Sequence, residues 1–229
     1  RKCLQHCDRI TLNTVSLKDL YINYYGINEK KIYVVPPVTD FQLNRLKKPT
    51  NKKFIYAGRF YSKQRPLSVL LKIFLEIEKL YPNASLDIYG PELIEYKSLV
   101  KEYGLTDKVF LKGFISQNRL RKAIIDYDYY LNIGNKSSHQ QPSKNIDLLS
   151  FGLPVINIIQ NQNDPFIKIS QKIFFIRNIH NQSAANLLSS TFYELQNLFN
   201  SHDKILEEEL KAKRIINQSL PNRQQIYYE

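Results

Sequence analysis

From Lys53 onward the chain repeats one rhythm: a short apolar run ending at or beside a glycine, then a stretch with helical spacing. "KFIYAGRF" reads as a buried strand ending at Gly58, "ASLDIYG" as a second ending at Gly90, "KVFLKGF" as a third ending near Gly113, and "YYLNIG" as a fourth ending at Gly134. Between them, "PLSVLLKIFLEIEKLYP" sets Leu70, Phe74, Ile77 and Leu80 on one helical face, "IEYKSLVKEYG" stops at Gly104, and "SQNRLRKAIIDY" gives a further helix. A helix over about Lys144–Ser150, the strands "LPVINII" and "KIFFIR", and two closing helices (about Ser183–Asn200 and Lys204–Gln218) complete the alternation. Strand–helix alternation with short connections predicts an α/β fold: a Rossmann-like parallel sheet flanked by helices. Ligands of such sheets bind beyond the C-terminal strand ends, where Gly58, Gly90, Gly113 and Gly134 all fall. One glycine makes only a tight turn; four on one rim point to close approach of a ligand.

The first 42 residues read differently. "DRITLNT" puts Ile10 and Leu12 on one strand face, "SLKDLYINYYG" is a helix with Ser16 as N-cap and Gly26 as stop, and "KKIYVVPPV" is a strand closed by Pro36-Pro37. The Lys-rich "NRLKKPTNKK" then reads as a linker. The expected division is residues 1–42 as the end of a preceding domain plus linker, 43–203 as the Rossmann-like domain, and 204–229 as a C-terminal helix and tail.

Composition narrows the classes. The hydrophobic fraction of 43% is ordinary for a soluble protein, and no run approaches the roughly 18 apolar residues of a membrane span. The opening "RKCLQHCDRI" has no signal-peptide core, and the absence of Met reads as a piece of a longer chain, with a cytoplasmic setting expected. The net charge of +12 favours anionic partners: phosphorylated small molecules, nucleic acid or an anionic membrane face. Cys3, His6 and Cys7 lack a fourth metal ligand and read as two reduced thiols and a histidine on a helix. The Asn-x-Ser/Thr triplets at Asn83, Asn135, Asn181 and Asn217 are expected by chance in so Asn-rich a chain. No P-loop and no Gly-x-Gly-x-x-Gly is present, which disfavours nucleotide hydrolysis and dinucleotide binding.

Two stretches concentrate chemistry on the expected rim. In "HQQPSKNIDLLSFGLPVI", Ser143 is an N-cap with Pro142 just outside it, and the free N–H groups of the helix start suit an anion. Lys144 adds a full charge, and Asp147, one turn in and leaning back, suits hydroxyls of a sugar. In "GRFYSKQR", Arg59, Lys63 and Arg65 crowd the loop after Gly58, with Arg suited to bidentate phosphate recognition.

"YAGRFYSKQRPLSVLL" followed by "PSKNIDLLSFGLPVI", with "LDIYGPE", "VFLKGFIS" and "YDYYLNI" in order between them, resembles the C-terminal part of a GT-B glycosyltransferase. The likeness is to the large retaining family 4 type, in the Pro-Ser-Lys variant seen in bacterial surface-polysaccharide (O-antigen or capsule) transferases. "CDRITLNTVSLKDL" through "KKIYVVPPVTDF" resembles the last strand–helix–strand of that family's N-terminal domain, so the likeness runs from about residue 8 to 160. It implies a nucleotide-sugar donor, UDP-linked by family frequency, a saccharide or lipid-linked acceptor, no metal and no cofactor. It also allows peripheral association with the inner face of a cell membrane. Arg59 is then implied at the donor diphosphate, with Gly58, Pro142, Ser143 and Lys144. The family's second basic residue counts to Gln64, so Lys63 or Arg65 replaces it. Asp147 stands at the ribose-binding Glu, His139 at the Glu that meets the sugar, and Gly90, Gly113, Phe114 and Ile115 near the nucleobase.

Asp126-Tyr127-Asp128 mimics a manganese motif of the other glycosyltransferase fold but lies at a helix end, away from the rim. The competing readings are a same-fold sugar-nucleotide epimerase or phosphorylase, a catalytically impaired sugar-nucleotide-binding scaffold, and a basic nucleic-acid-binding module. The chain by itself is expected to bind donor without efficient transfer.

Overall fold

The computed structural model describes residues 2–35, 43, 44, 46–91, 93–139, 142, 144–200 and 202–219. The chain begins with α1 (Lys2–His6), β1 (Ile10–Leu12), α2 (Val15–Tyr25) and β2 (Ile32–Val34). β1 and β2 pair in parallel, and Ile10, Leu12, Ile27 and Ile32 form a small apolar cluster with Leu17, Tyr21 and Ile22 of α2. The N-cap of α2 is Thr14, not the expected Ser16: the Thr14 Oγ1 accepts from the Leu17 N–H at 3.1 Å. Gly26 closes the helix in the left-handed region, as its position in the sequence required. Pro36 and Pro37 lie outside the described residues.

Then follow β3 (Lys53–Ala57), α3 (Leu67–Leu80), β4 (Ser85–Tyr89), α4 (Lys97–Glu102), β5 (Val109–Gly113), α5 (Gln117–Ala123), β6 (Tyr129–Ile133), α6 (Lys144–Ser150), β7 (Val155–Ile159), α7 (Ile167–Ser170) and β8 (Ile176–His180). α8 (Ala184–Leu198) and α9 (His202–Ser219) are the last described elements. The six strands from β3 onward form one wholly parallel sheet in the order β5-β4-β3-β6-β7-β8. Strand order therefore reverses between β3 and β6, the switch point at which an open α/β sheet leaves a crevice.

Period-two alternation splits the core. Phe54, Tyr56, Tyr129, Leu131, Ile156 and Ile158 face one apolar cluster with α3 and α8, while Ile55, Tyr130 and Val155 face another with α6, α9 and the α5 region. Leu70, Phe74 and Ile77 of α3 are buried as the helical spacing implied, but Leu80, in the last turn, is 40% exposed. β8 begins later than "KIFFIR" implies. Ile173 and Phe175 are buried in the turn before it, because the register with β7 starts at Val155↔Ile176. The expected linker is tied down: Asn44 N–H donates to Ser150 O, Lys47 N–H to Gly152 O, and Leu46 N–H to the buried Glu209 carboxylate of α9 at 2.6 Å.

One polar feature crosses the second core. Asn132, Asn157 and Asn178 stand in register on β6, β7 and β8. Asn132 Nδ2 donates to Asn157 Oδ1 at 2.8 Å and to Asn145 Oδ1 of α6 at 3.3 Å, and Asn157 Nδ2 donates to Asn178 Oδ1 at 2.7 Å. Ser170 of α7 donates into the same Asn178 oxygen at 2.9 Å. Apolar contacts are non-directional, whereas this ladder sets the height and rotation of α6 on the sheet. Asn157→Leu keeps similar volume and removes the middle rung. It is expected to lower stability by about 2 kcal/mol, two lost hydrogen bonds at about 1 kcal/mol each, in urea denaturation. Wild-type stability in that variant would show that the ladder is idle.

Candidate functional site

The crevice at the switch point is a cleft of about 660 Å³ lined by Asn13, Gly58, Arg59, Tyr61, Gln64, Arg65, Asn135, Ser137, Pro142 and Lys144. The rim glycines make it. Gly58 N–H donates to Tyr89 O, Gly90 N–H to Gly113 O, and Gly134 N–H to Ile158 O, so the parallel ladder continues one residue beyond the strands. Gly58 takes φ 148°, which strains any L side chain, and a Cβ on it would stand 3.4 Å from Lys144 Cδ and the Tyr56 hydroxyl. A Cβ on Gly90 would stand 2.5 Å from the Gly58 carbonyl oxygen, and one on Gly134 would collide with the Asp164 carboxylate.

The loop after β3 decides which basic residue enters. Tyr61 N–H donates to Arg65 O at 3.1 Å and Arg65 N–H to Tyr61 O at 2.7 Å, an antiparallel bridge that closes the loop. Lys63 sits exposed at its tip, outside the cleft lining, and Arg65 is turned inward with its guanidinium 5.2 Å from the Tyr61 ring centre. Gln64, where the family pattern counts a basic residue, has another task. Its Oε1 accepts from Ser137 N–H at 3.0 Å, and its carbonyl accepts from Lys136 N–H and from Gln160 Nε2 at 2.8 Å. Gln160 Nε2 also donates to Gly134 O, and Asn161 Nδ2 to Lys136 O, both at 2.7 Å. The loop after β6 is thus held from both sides.

Lys144, the first residue of α6, lays its stem along Gly58. Its ammonium lies 4.5 Å from the Tyr56 ring centre and donates to the Tyr56 hydroxyl at 3.4 Å. Burial first, then the Arg65 charge, holds that ammonium well below the usual lysine range, with Asp164 pulling the other way. Asp164, in the turn after β7, is 2% exposed, and its Oδ1 accepts from Phe166 N–H at 2.9 Å. Burial raises its carboxyl, against backbone N–H groups of Phe166 and Asn135 and the charges of Lys144 and Arg65. The cleft floor is therefore a lysine and an arginine backed by one buried aspartate. Asp164, Gln160 and Asn161 escaped the motif reading; the only sequence signal is the polar run "QNQND" directly after an apolar strand.

Of the residues singled out in the sequence, Gly58, Arg59, Arg65, Pro142 and Lys144 share this cleft. Ser143 lies outside the described residues; Asn145 N–H donates to Pro142 O at 3.1 Å beside it. Asp147 is on another side of α6, where its Oδ1 accepts from Gln117 Nε2 of α5 at 2.8 Å. Burial pushes its carboxyl up, offset by Gln117 and Arg121. Gly113, exposed Phe114 and half-buried Ile115 lead into that same α5. Gly90 lies between the two groups, packed against the Gly58 carbonyl and donating its N–H to Gly113 O. His139 is not on the cleft wall: its Nδ1 lies 2.9 Å from Ser16 Oγ.

A second cleft of about 660 Å³, near the starts of β3 and β4, is lined by Lys53, Ser85, Asp87, Tyr89, Phe110, Lys112 and Tyr127 among others. Its charges answer each other: the Tyr127 hydroxyl donates to Asp87 Oδ2 at 2.7 Å, and Lys112 Nζ is 3.4 Å from the same oxygen. Asp128, next to it, accepts from Thr50 N–H at 2.9 Å and Lys53 N–H at 3.1 Å, with Lys47 at 3.8 Å. Burial opposes its charge, but these partners hold its carboxyl below the usual range. The Asp-x-Asp sequence thus serves the starts of the strands. Among the described residues no cluster of three or more His, Cys, Asp or Glu is placed to hold a metal.

A parallel sheet with a basic crevice at its switch point has the architecture in which open α/β sheets take their ligands. Residues 39–159 match the family described as "Glycosyl transferases group 1", and the chain belongs to that family. An uncharacterized glycosyltransferase of Bacillus subtilis strain 168, YqgM, is 32% identical over 97 residues, which is 40% of this chain and 27% of that protein. In fold the chain is similar to GT-B glycosyltransferases. A TarM variant from S. aureus, crystallised with fondaparinux, alpha-GlcNAc-glycerol and UDP, superposes with a TM-score of 0.71 at 16% identity, over 98% of this chain and 44% of TarM. HepE from Anabaena, crystallised with UDP and glucose, gives 0.66 at 14% identity, over 96% of this chain and 62% of HepE. The chain thus spans less than two thirds of each of these relatives.

Gly90→Ala and Gly134→Ala are each expected to cost about 1–3 kcal/mol, since the atoms met are a backbone carbonyl and a buried carboxylate. Urea denaturation measures this; a change within about 0.5 kcal/mol would place both contacts wrongly.

Proposed function

We propose that the chain is the donor-binding half of a retaining glycosyltransferase of the family 4 type, taking a nucleotide sugar, UDP-linked, and serving a saccharide or lipid-linked acceptor in surface-polysaccharide synthesis. The observation that carries it is the convergence of Arg59, Arg65 and Lys144 on the switch-point cleft. Cleavage of the donor's glycosidic bond leaves negative charge on the β-phosphate. Fixed cations in a partly water-excluded crevice stabilise that charge without having to reorganise. Arg65, rather than Lys63, takes the place of the family's second basic residue, and Tyr56 and Asp164 hold Lys144 beneath the phosphates. Asp147 and Gln117 face the ribose, and Phe114 and Ile115 flank the base, on the α5 side of α6. In this reading the cations act on the leaving diphosphate, and groups beyond this chain supply the acceptor side. The chain alone therefore binds donor and transfers poorly; efficient transfer by it alone would remove the two-half account. Among the described residues no helix is long and apolar enough to cross a membrane.

Arg59→Ala and Arg65→Ala are expected to weaken UDP binding on the order of 10- to 100-fold in calorimetry, as for a lost charge-assisted hydrogen bond, and to leave uridine binding nearly unchanged. Equal losses for both ligands would take the arginines off the diphosphate.

Lys144 adds a pH signature. Its ammonium is held below the ordinary value of 10.5 in the empty cleft, and a diphosphate raises it again, so binding takes up a proton. UDP affinity is then highest below the lowered value and falls as pH climbs from there toward 10.5. Lys144→Arg carries a fixed charge and is expected to flatten that fall above about pH 7.5, where the terminal phosphate is fully ionised. The same slope in wild type and variant would exclude Lys144 as the titrating group.

A further inference from the structure

His139 occupies the position where the sequence comparison placed an acid against the donor sugar, yet its recorded contacts run the other way. Its Nδ1 is 2.9 Å from Ser16 Oγ, and its carbonyl accepts from Thr14 Oγ1. The partners are the N-cap and the first turn of α2, directly after β1 and more than 120 residues earlier in the chain. Thr14 is buried, and its hydroxyl is used twice: it accepts from Leu17 N–H as the N-cap of α2 and donates to His139. The neighbouring Asn13 lines the cleft beside Arg59 and Arg65. On the other side, Gln64, Gln160 and Asn161 hold the loop after β6 at Gly134, Lys136 and Ser137, and His139 N–H donates to Ser137 Oγ at 3.3 Å. His139 is therefore where a tightly held donor-side loop meets the β1–α2 turn.

We propose that His139 is a positioning residue, a pin that ties the β1–α2 turn to the rim of the cleft and so sets the distance between Asn13 and the basic floor, in place of contacting the donor sugar. The proposal deepens the donor-binding reading and rests on it for its effect on ligand. A pin requires one side-chain pair, Ser16–His139, acting as a unit. Removing either member loosens the cleft wall equally, the Thr14 bond to the His139 carbonyl remaining in both, and removing both does no further harm. A sugar contact requires nothing of Ser16.

The test uses the whole chain as Ser16→Ala, His139→Ala, the double variant, and His139→Asn, whose amide can still bond the Ser16 hydroxyl. Urea midpoints read the pin without any ligand. Both alanine variants are expected to shift the midpoint alike, the double variant to equal either single one, and His139→Asn to recover most of the loss. Calorimetry with UDP, UDP-glucose and UDP-GlcNAc reads its effect on the cleft. Each alanine variant is expected to weaken all three ligands by the same factor, on the order of twofold to tenfold for one hydrogen bond. Additive midpoint shifts would overturn the pin. A loss confined to the UDP-sugars in His139→Ala, with Ser16→Ala silent, would return His139 to the sugar. If the wild-type chain binds none of the three, the donor reading fails, and the midpoints still decide the pin.

Discussion

Parallel strand pairing is the constraint from which the rest of this molecule follows. A parallel pair cannot be joined by a hairpin, so each strand must be followed by a crossover that returns the chain to the same end of the sheet. Every strand from β3 to β8 therefore finishes on one rim. Because the order turns back between β3 and β6, the loops leaving those two strands diverge and leave a crevice between them. The residues that give it character all arrive just after a strand: Arg59 and Arg65 after β3, Asn135 and Ser137 after β6, Asp164 after β7. Lys144 joins them from the start of α6, which Asn145 ties to Asn132 of β6 and whose Ile146, Leu148 and Leu149 are buried in the core.

Electrostatics then separates two clefts of equal size. In the one near the strand starts, Lys112, Asp87 and Tyr127 satisfy one another, and a ligand would have to break existing pairs to bind. In the one at the rim, Lys144 and Arg65 sit close enough to repel, with Asp164 behind them, and burial disfavours the lysine charge. In the donor-binding reading proposed above, the fold meets the cost of assembling like charges and a phosphate would recover it.

Much of this was legible in the sequence, for local reasons. Strand ends were marked by Gly58, Gly90, Gly113 and Gly134, of which Gly90 and Gly134 make contacts that need a missing Cβ and Gly58 and Gly113 take positive φ, and α3 was marked by Leu70, Phe74 and Ile77. The failures are places where a distant partner decides. Thr14 and Ser16 are equally good caps by residue type; Thr14 took the role, and Ser16 turned to His139. "KIFFIR" is apolar throughout, so only the pairing with Val155 shows that its first half plugs the core and its second half is strand. Lys63 and Arg65 were indistinguishable until the Tyr61–Arg65 bridge pointed one out and the other in. Asp164 carries no motif, and its role appears only once β7 is laid beside β6.

The central claim is that a nucleoside diphosphate seats in the rim cleft. Amide chemical-shift mapping of the chain titrated with UDP tests it most directly. The account predicts saturable shifts at Gly58, Arg59, Arg65, Asn135 and Lys144, spreading to Gln117 and Ile115, while Lys53, Asp87 and Lys112 stay still. Shifts centred on Asp87 and Lys112, or none at Gly58 and Lys144 at saturating UDP, would contradict it.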